Sequence, residues 1–238
     1  MSYFLFNGGD SRDYGLLESA PMPPSNDEIV NIVETPGRVS NAFYATGRYE
    51  NKEITVVLGI KDKSKIRALY GWISGTGSLI LSSELDKYYR VVKIAKTPER
   101  LSVRFGKVTI VFTVEPFAYS ISPTTVDITS ATSYAEVDNE GTMYSEPEIS
   151  FVPTASEVKI DVNGKEFVVF GLTEQATAEQ TVVIDCDIEV VYYVDGGVKV
   201  DITYKSKYDF PLLHTGKNYV KHNGNVSSAS VNVKERWL

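Results

Sequence analysis

Val158-Lys159-Ile160-Asp161-Val162-Asn163-Gly164-Lys165-Glu166-Phe167-Val168-Val169 is the stretch whose reading decides the fold. Apolar and polar residues alternate with a period of two up to Asn163-Gly164, as a half-buried strand requires. Asn-Gly is a strong signal for a type I′ turn, because both central residues take positive φ. The turn sets the register, so Ile160 faces Phe167 and Val158 faces Val169. Short alternating runs separated by turn signals recur along all 238 residues, with no convincing repeat. Fifteen Tyr, ten Phe and frequent Val, Ile and Thr suit pleated surfaces. The expected fold is all-β with one short helix, in two β-sandwich-like domains.

Three more hairpins are expected. In Val39 to Ile60, a turn at Glu50-Asn51 pairs Phe43 with Leu58, Ala45 with Val56, Tyr44 with Val57 and Arg48 with Glu53. Both faces are largely apolar, so the core covers both or a second subunit covers one. In Arg100 to Val114, a Gly106-Lys107 turn of type II′ pairs Phe105 with Val108, Val103 with Ile110 and Leu101 with Phe112. Around Asp195-Gly196-Gly197, a three-residue loop pairs Val194 with Val198 and Tyr192 with Val200. A two-residue Gly-Gly loop shifts this register by one. The longer loop is preferred because it keeps Val182, Ile184, Cys186, Ile188, Val190, Tyr192 and Val194 in one phase.

One helix stands out. Ile66, Leu69, Tyr70 and Ile73 follow helical spacing, Asp62 or Ser64 can cap it, and Gly75 can end it. A second helical turn is expected near Ser83 to Tyr88. The polar, turn-rich passage at 120–145 separates the units, giving a first domain over residues 1–137 and a second over 138–238. The final strand, Val226 to Arg236, completes the second or returns to the first.

Composition narrows the function. Lys and Arg total 24 against 31 Asp and Glu, a net charge of −7. Clustered cations for a phosphate backbone are therefore lacking. Residues 1–140 hold 15 basic and 17 acidic side chains, and 141–238 hold 9 and 14, which suggests two units with different partners. No apolar run is long enough for a membrane span, and no signal peptide is read at the start. The single cysteine, Cys186, forms no internal disulfide.

Catalytic, metal and cofactor residues are not found. His214 and His222 lie in a turn-rich tail, and no nucleophile elbow, zincin or phosphate-loop motif occurs. Cys186 reads as a buried small hydrophobe. Asp185, Asp187 and Glu189 read as the wet face of one strand rather than a calcium site. Tyr192, Tyr193, Tyr204 and Tyr208 offer sugar-stacking rings, with cross-strand packing the plainer reading.

Several passages, in order, resemble the siphophage distal tail proteins. These are Phe4 to Asp10 with Tyr14 to Leu17, Leu69-Tyr70-Gly71-Trp72-Ile73 with Gly77 to Leu81, and Asp86-Lys87-Tyr88-Tyr89. Val114 to Tyr119, Asn139-Glu140-Gly141 with Glu146 to Ser150, Gly216-Lys217-Asn218 and Arg236-Trp237-Leu238 complete the set. The resemblance implies a structural protein of a siphophage or prophage virion, assembled in the bacterial host cytoplasm, without enzymatic activity or cofactor. It implies a first domain that forms a ring, usually a hexamer, at the tail tip, and a galectin-like second domain. The ring would join the tail tube protein to the tail-associated hub protein and the adhesion device, including receptor-binding proteins. DNA would pass through it without tight binding, and no membrane is involved. A ring needs two complementary surfaces on each subunit. The hairpin 39–60 supplies the candidate contact residues Phe43, Tyr44, Val57 and Gly59. The rival reading is a carbohydrate-binding module for attachment to the host cell wall.

Overall fold

The structure, a computed structural model, describes residues 2–19, 21–24, 27–34, 36–37, 39–60, 62–100, 106–172 and 180–238. The chain divides into two compact units, Met1–Ile121 together with Leu238, and Ser122–Trp237. This division comes ahead of the boundary expected after residue 137. The reason is the strand at Thr125–Asp127, which pairs within the second unit's sheet.

In the first unit the strands are β1 (Phe4–Phe6), β2 (Gly9–Asp10), β3 (Leu16–Leu17), β4 (Glu28–Val33), β5 (Ala42–Tyr49) and β6 (Lys52–Ile60). Helix α1 (Ile66–Trp72) follows, then β7 (Gly77–Leu81), β8 (Glu84–Arg100) and β9 (Gly106–Ser120). An antiparallel sheet runs in the order β2-β1-β7-β8-β9-β6-β3, while β4 and β5 form a separate ribbon. Phe4, Phe6, Leu58, Leu69, Ile73 and Phe112 are fully buried. Trp72 stacks on Phe4 and Tyr14, with ring centroids 5.7 and 4.9 Å apart, and its Nε1–H donates to the Phe6 carbonyl at 3.0 Å. That bond satisfies the indole and lets the ring bury its area.

The helix forms where its spacing predicts. Asp62 Oδ1 accepts the Ser64 N–H at 2.9 Å and caps the 3-10 turn that leads into it. Gly75, at φ +78°, lies in the turn beyond its end. The Lys96 ammonium donates to the carbonyls of Tyr70 and Ile73, groups that the helix itself leaves unpaired.

Three expectations in this unit are corrected. Strands β5 and β6 are not hydrogen-bonded partners. Phe43 instead faces Ile32, Tyr44 faces Asn31 and Ala45 faces Val30, while Leu58 faces Val108. The Gly106-Lys107 turn is replaced by a β8–β9 hairpin in which Arg100 faces Gly106, Pro98 faces Val108 and Lys96 faces Ile110. The expected partners Leu101, Val103 and Phe105 lie outside the described residues. The segment Ser83 to Tyr88 is no helical turn, since β8 begins at Glu84.

The second unit contains β10 (Thr125–Asp127), β11 (Ala135–Asn139), β12 (Glu148–Pro153), β13 (Glu157–Val162), β14 (Lys165–Phe170) and β15 (Val182–Asp185). It continues with β16 (Val190–Asp195), β17 (Val198–Asp201), β18 (Ser206–Lys207), β19 (Gly216–His222) and β20 (Val226–Asn232). One sheet has the order β10-β20-β12-β15-β16-β17 and the other β11-β19-β13-β14-β18. One cluster, including Phe151, Ile160, Phe167, Val182 and Val231, fills the unit. It is a β-sandwich, and with the first unit it makes the chain all-β, with one α-helix among the described residues.

The deciding hairpin is as read. Ile160 faces Phe167, Val158 faces Val169, and Asn163 and Gly164 have φ of +54° and +82°. At 195–197 the structure takes the two-residue loop. Asp195 faces Val198 and Tyr193 faces Val200, with Gly196 and Gly197 at φ +53° and +85°. The continuous phase from 182 to 194 also fails. Residues 186–189 form a turn with Glu189 at φ +53°, so Val191 and Tyr193, not Tyr192, face Ile184 and Val182. Strand β20, which holds most of the expected final strand, pairs with β12 and β10 in the second unit.

Candidate assembly surface

The ribbon β4–β5 is held in shape by its own backbone. Thr46 Oγ1 donates to the Ile29 carbonyl at 2.8 Å, and the Gly47 N–H donates to Glu28 Oε1 at 2.7 Å. A register shift between Glu28 and Val30 bends it there, as bulges do. Tyr49, at the end of β5, meets Phe117 of β9 edge to face at 5.5 Å. Beyond that anchor the ribbon carries apolar groups in water: Ile32 is 67% exposed, Phe43 76% and Tyr44 59%, with Val30 and Val33 also exposed. Ile32 and Phe43 are cross-strand partners, and exposed apolar side chains so paired mark an interaction surface.

The structure divides the four candidate contact residues. Phe43 and Tyr44 sit on the ribbon. Val57 and Gly59 sit on β6, half-buried, with Val57 facing Thr109 and Gly59 facing Leu16 and Lys107. Ile32 was not among the candidates. Its signal is the apolar run Ile29-Val30-Asn31-Ile32-Val33, which reads as a strand once Phe43 is known to need a partner.

The sheet offers two further surfaces. Strand β3 covers only Leu58 and Gly59 of β6. The flank of β6 from Lys52 to Val56 therefore has no strand partner among the described residues. Strand β7 covers β8 only from Glu84 to Val91, which leaves the flank from Lys93 to Glu99 open in the same sense. Open flanks present backbone donors and acceptors to another chain. That on β8 carries Lys93, Pro98 and Glu99, and that on β6 carries Lys52 and Glu53, so each is selective about what it pairs with.

The groups that chemistry would need lie in the second unit, where most are buried or ion-paired. Cys186 is buried, and desolvation pushes its thiol up, away from the thiolate. Asp185 and Glu148 pair with Lys234 at 3.1 and 3.4 Å. Glu146 is raised by burial, with Arg236 at 2.8 Å working against that shift and Asp187 adding to it. Among the described residues no three His, Cys, Asp or Glu group to hold a metal ion. Tyr192 is nearly buried beneath the Lys199 ammonium at 4.0 Å, and Tyr193 packs on the core, whereas Tyr204 and Tyr208 are exposed. No helix among the described residues is long and apolar enough to cross a membrane.

Residues 140–237 match the family model of the siphovirus-type tail component, C-terminal domain. The match lies within the second unit. The crystal structure of SPP1 Dit, described as a paradigm of the hub adsorption apparatus in phages infecting Gram-positive bacteria, superposes with a TM-score of 0.78. The alignment covers 100% of each chain at 18% identity. No curated protein sequence matches the chain. The resemblance to siphophage distal tail proteins drawn from Phe4 to Leu238 is thus borne out.

Proposed function

We propose that this chain is a structural subunit of a siphophage tail tip and forms a closed ring, of six copies in the simplest case. The ring joins the tail tube to the tail-associated hub and the adhesion device above the host surface. One observation carries the reading: a folded ribbon that keeps Ile32, Phe43 and Tyr44 in water. A ring is a set of heterologous contacts, so each subunit needs two unlike surfaces. The ribbon and one open sheet flank form such a pair. Val57 and Gly59 lie next to the β6 flank, so the four candidate residues belong to two sides of one seam. The net charge of −7 suits a lumen that passes DNA without gripping phosphate.

The test is negative-stain imaging of the protein mixed with its tail-tube and hub proteins, for the wild type and Tyr44→Glu. A desolvated charge in the contact costs on the order of several kcal/mol. The variant is expected to keep its circular dichroism and to lose rings. If Tyr44→Glu folds and still forms them, the ribbon is not the seam. A wild type that forms no ring with its partners overturns the ring itself.

A further inference from the structure

Asn-Gly occurs three times, at Asn7-Gly8, Asn163-Gly164 and Asn223-Gly224. In such a pair the glycine main-chain nitrogen can attack the asparagine Cγ, because no side chain on the glycine hinders the approach. The structure treats the three pairs differently. The Asn7 carboxamide is tied at both ends: its Nδ2–H donates to the Thr76 carbonyl at 3.2 Å, and its Oδ1 accepts the Ser78 N–H at 2.9 Å. The Asn163 carboxamide is tied likewise, donating to Asn218 Oδ1 and accepting from the Tyr219 N–H, each at 2.8 Å. In both, carbonyl and amide nitrogen are held by residues far along the chain.

Asn223 is not tied in this way. It lies exposed in the loop 223–225, between β19 of one sheet and β20 of the other. Its Nδ2, the group that would leave, has no partner among the described residues. Its Oδ1 accepts the Asn225 N–H at 3.3 Å, so the side chain folds back over its own loop. The loop itself is pinned. The Asn223 N–H donates to the Lys159 carbonyl at 3.1 Å, the Thr154 N–H to the Asn225 carbonyl at 2.9 Å, and Asn225 Nδ2–H to the Glu157 carbonyl at 2.7 Å. The nucleophile is prepared as well, because the Gly224 N–H donates to His222 Nδ1 at 3.0 Å. An accepting nitrogen carries a lone pair, so the ring proton is on Nε2 and Nδ1 can take another. His222 ends β19 and is only 8% exposed, so packing holds its ring. At Gly164 the N–H meets the Asp161 carboxylate instead, a weaker base than imidazole.

Residues 222–225 thus bring together a base, a nucleophile, an electrophilic carbonyl and a donor to the oxygen where charge develops. We propose that Asn223 is a self-modification site, at which the chain deamidates itself with His222 as general base. The Gly224 nitrogen bonds to Asn223 Cγ while its proton passes to His222 Nδ1. The negative charge that forms on Oδ1 is met by the Asn225 N–H. The Cγ–Nδ2 bond then breaks, and the proton returned by the imidazolium lets the nitrogen leave as ammonia. The product is a cyclic succinimide. Water opens it at either carbonyl, to aspartate or to isoaspartate, and no cofactor or oxidant is required. Either product adds a negative charge to the loop, and isoaspartate also lengthens the main chain just ahead of β20.

Peptide mapping by mass spectrometry of the full chain, stored at neutral pH, tests this on the wild type. Conversion of amide to acid is expected at Asn223 at least roughly tenfold faster than at Asn7 or Asn163 in the folded protein. In urea, where only local sequence acts, the three rates should converge. His222→Gln keeps an oxygen that can accept the Gly224 N–H but supplies no base. It should slow conversion of Asn223 about tenfold and leave Asn163 unchanged, with circular dichroism checking the fold. The wild-type comparison stands whether or not that variant folds. The proposal fails if Asn7 or Asn163 converts as fast as Asn223 in the folded chain, or if the preference for Asn223 survives in urea. A folded His222→Gln that converts Asn223 at the wild-type rate overturns the proposed chemistry. The reaction needs no second copy, so these outcomes are independent of ring formation.

Discussion

The β4–β5 ribbon and the β13–β14 hairpin are both antiparallel pairs rich in apolar residues, and their fates are opposite. In the hairpin, Ile160 and Phe167 are 0% and 1% exposed. In the ribbon, the cross-strand partners Ile32 and Phe43 are 67% and 76% exposed. A lone two-stranded pair is marginal in water, so a cover normally supplies its stability. The hairpin has its cover within the same unit. Among the described residues the ribbon is anchored at Tyr49 and by side-chain bonds to its own backbone, and its apolar area stays in water. Pattern alone therefore indicates that a face is to be covered, and packing decides by what.

The largest effect that separates the two elements is Phe167→Ala. It should cost about 3–5 kcal/mol and lower the urea midpoint of the second unit. Less severe is Gly164→Ala, which places a Cβ at φ +82° in the hairpin turn. A cost of about 1–2 kcal/mol is expected in the same denaturation experiment. In the ribbon, Phe43→Ala should change monomer stability by about 0.5 kcal/mol or less, while sedimentation shows loss of higher species. Equal destabilisation by Phe43→Ala and Phe167→Ala would erase the contrast.

The smallest effect is electrostatic and belongs to the sandwich. Burial holds the Glu146 carboxyl above the usual range, against the pull of Arg236 and with a further push from Asp187. The folded state thus binds this proton more tightly than the unfolded chain does. The resulting stability is complete below the unfolded pKa and is lost as pH rises through the folded one. Glu146→Gln should remove that downward slope, read by denaturation between about pH 4 and 7. An unchanged slope would assign it to other groups.

Where local chemistry dictates backbone angles, the fold is legible in the residues. Asn163-Gly164 specifies its turn, and Ile66 to Ile73 specify the helix. Register beyond the turn is less secure. Cys186 and Ile188 continue a strand alternation through a turn, so periodicity sees one strand where there are two. That false continuity favours the wrong loop at Gly196-Gly197. Gly106-Lys107 has the chemistry of a tight turn, yet both residues lie in β9, opposite Arg100 and Glu99. The choice between β4 and β6 as partner for β5 is long-range and carries no local signature. Hence Phe43 and Tyr44 are legible as exposed positions, Ile32 is not, and Val57 is given the wrong cross-strand partner.

Strand β20 lies between β10 and β12, so Val226–Asn232 fills a gap in a sheet whose other strands are synthesised first. Every residue up to Asn232 must leave the ribosome before that gap can be filled. Until then β10 and β12 have no common neighbour, and a product terminated before Val226 lacks the strand that joins them and is open to proteolysis.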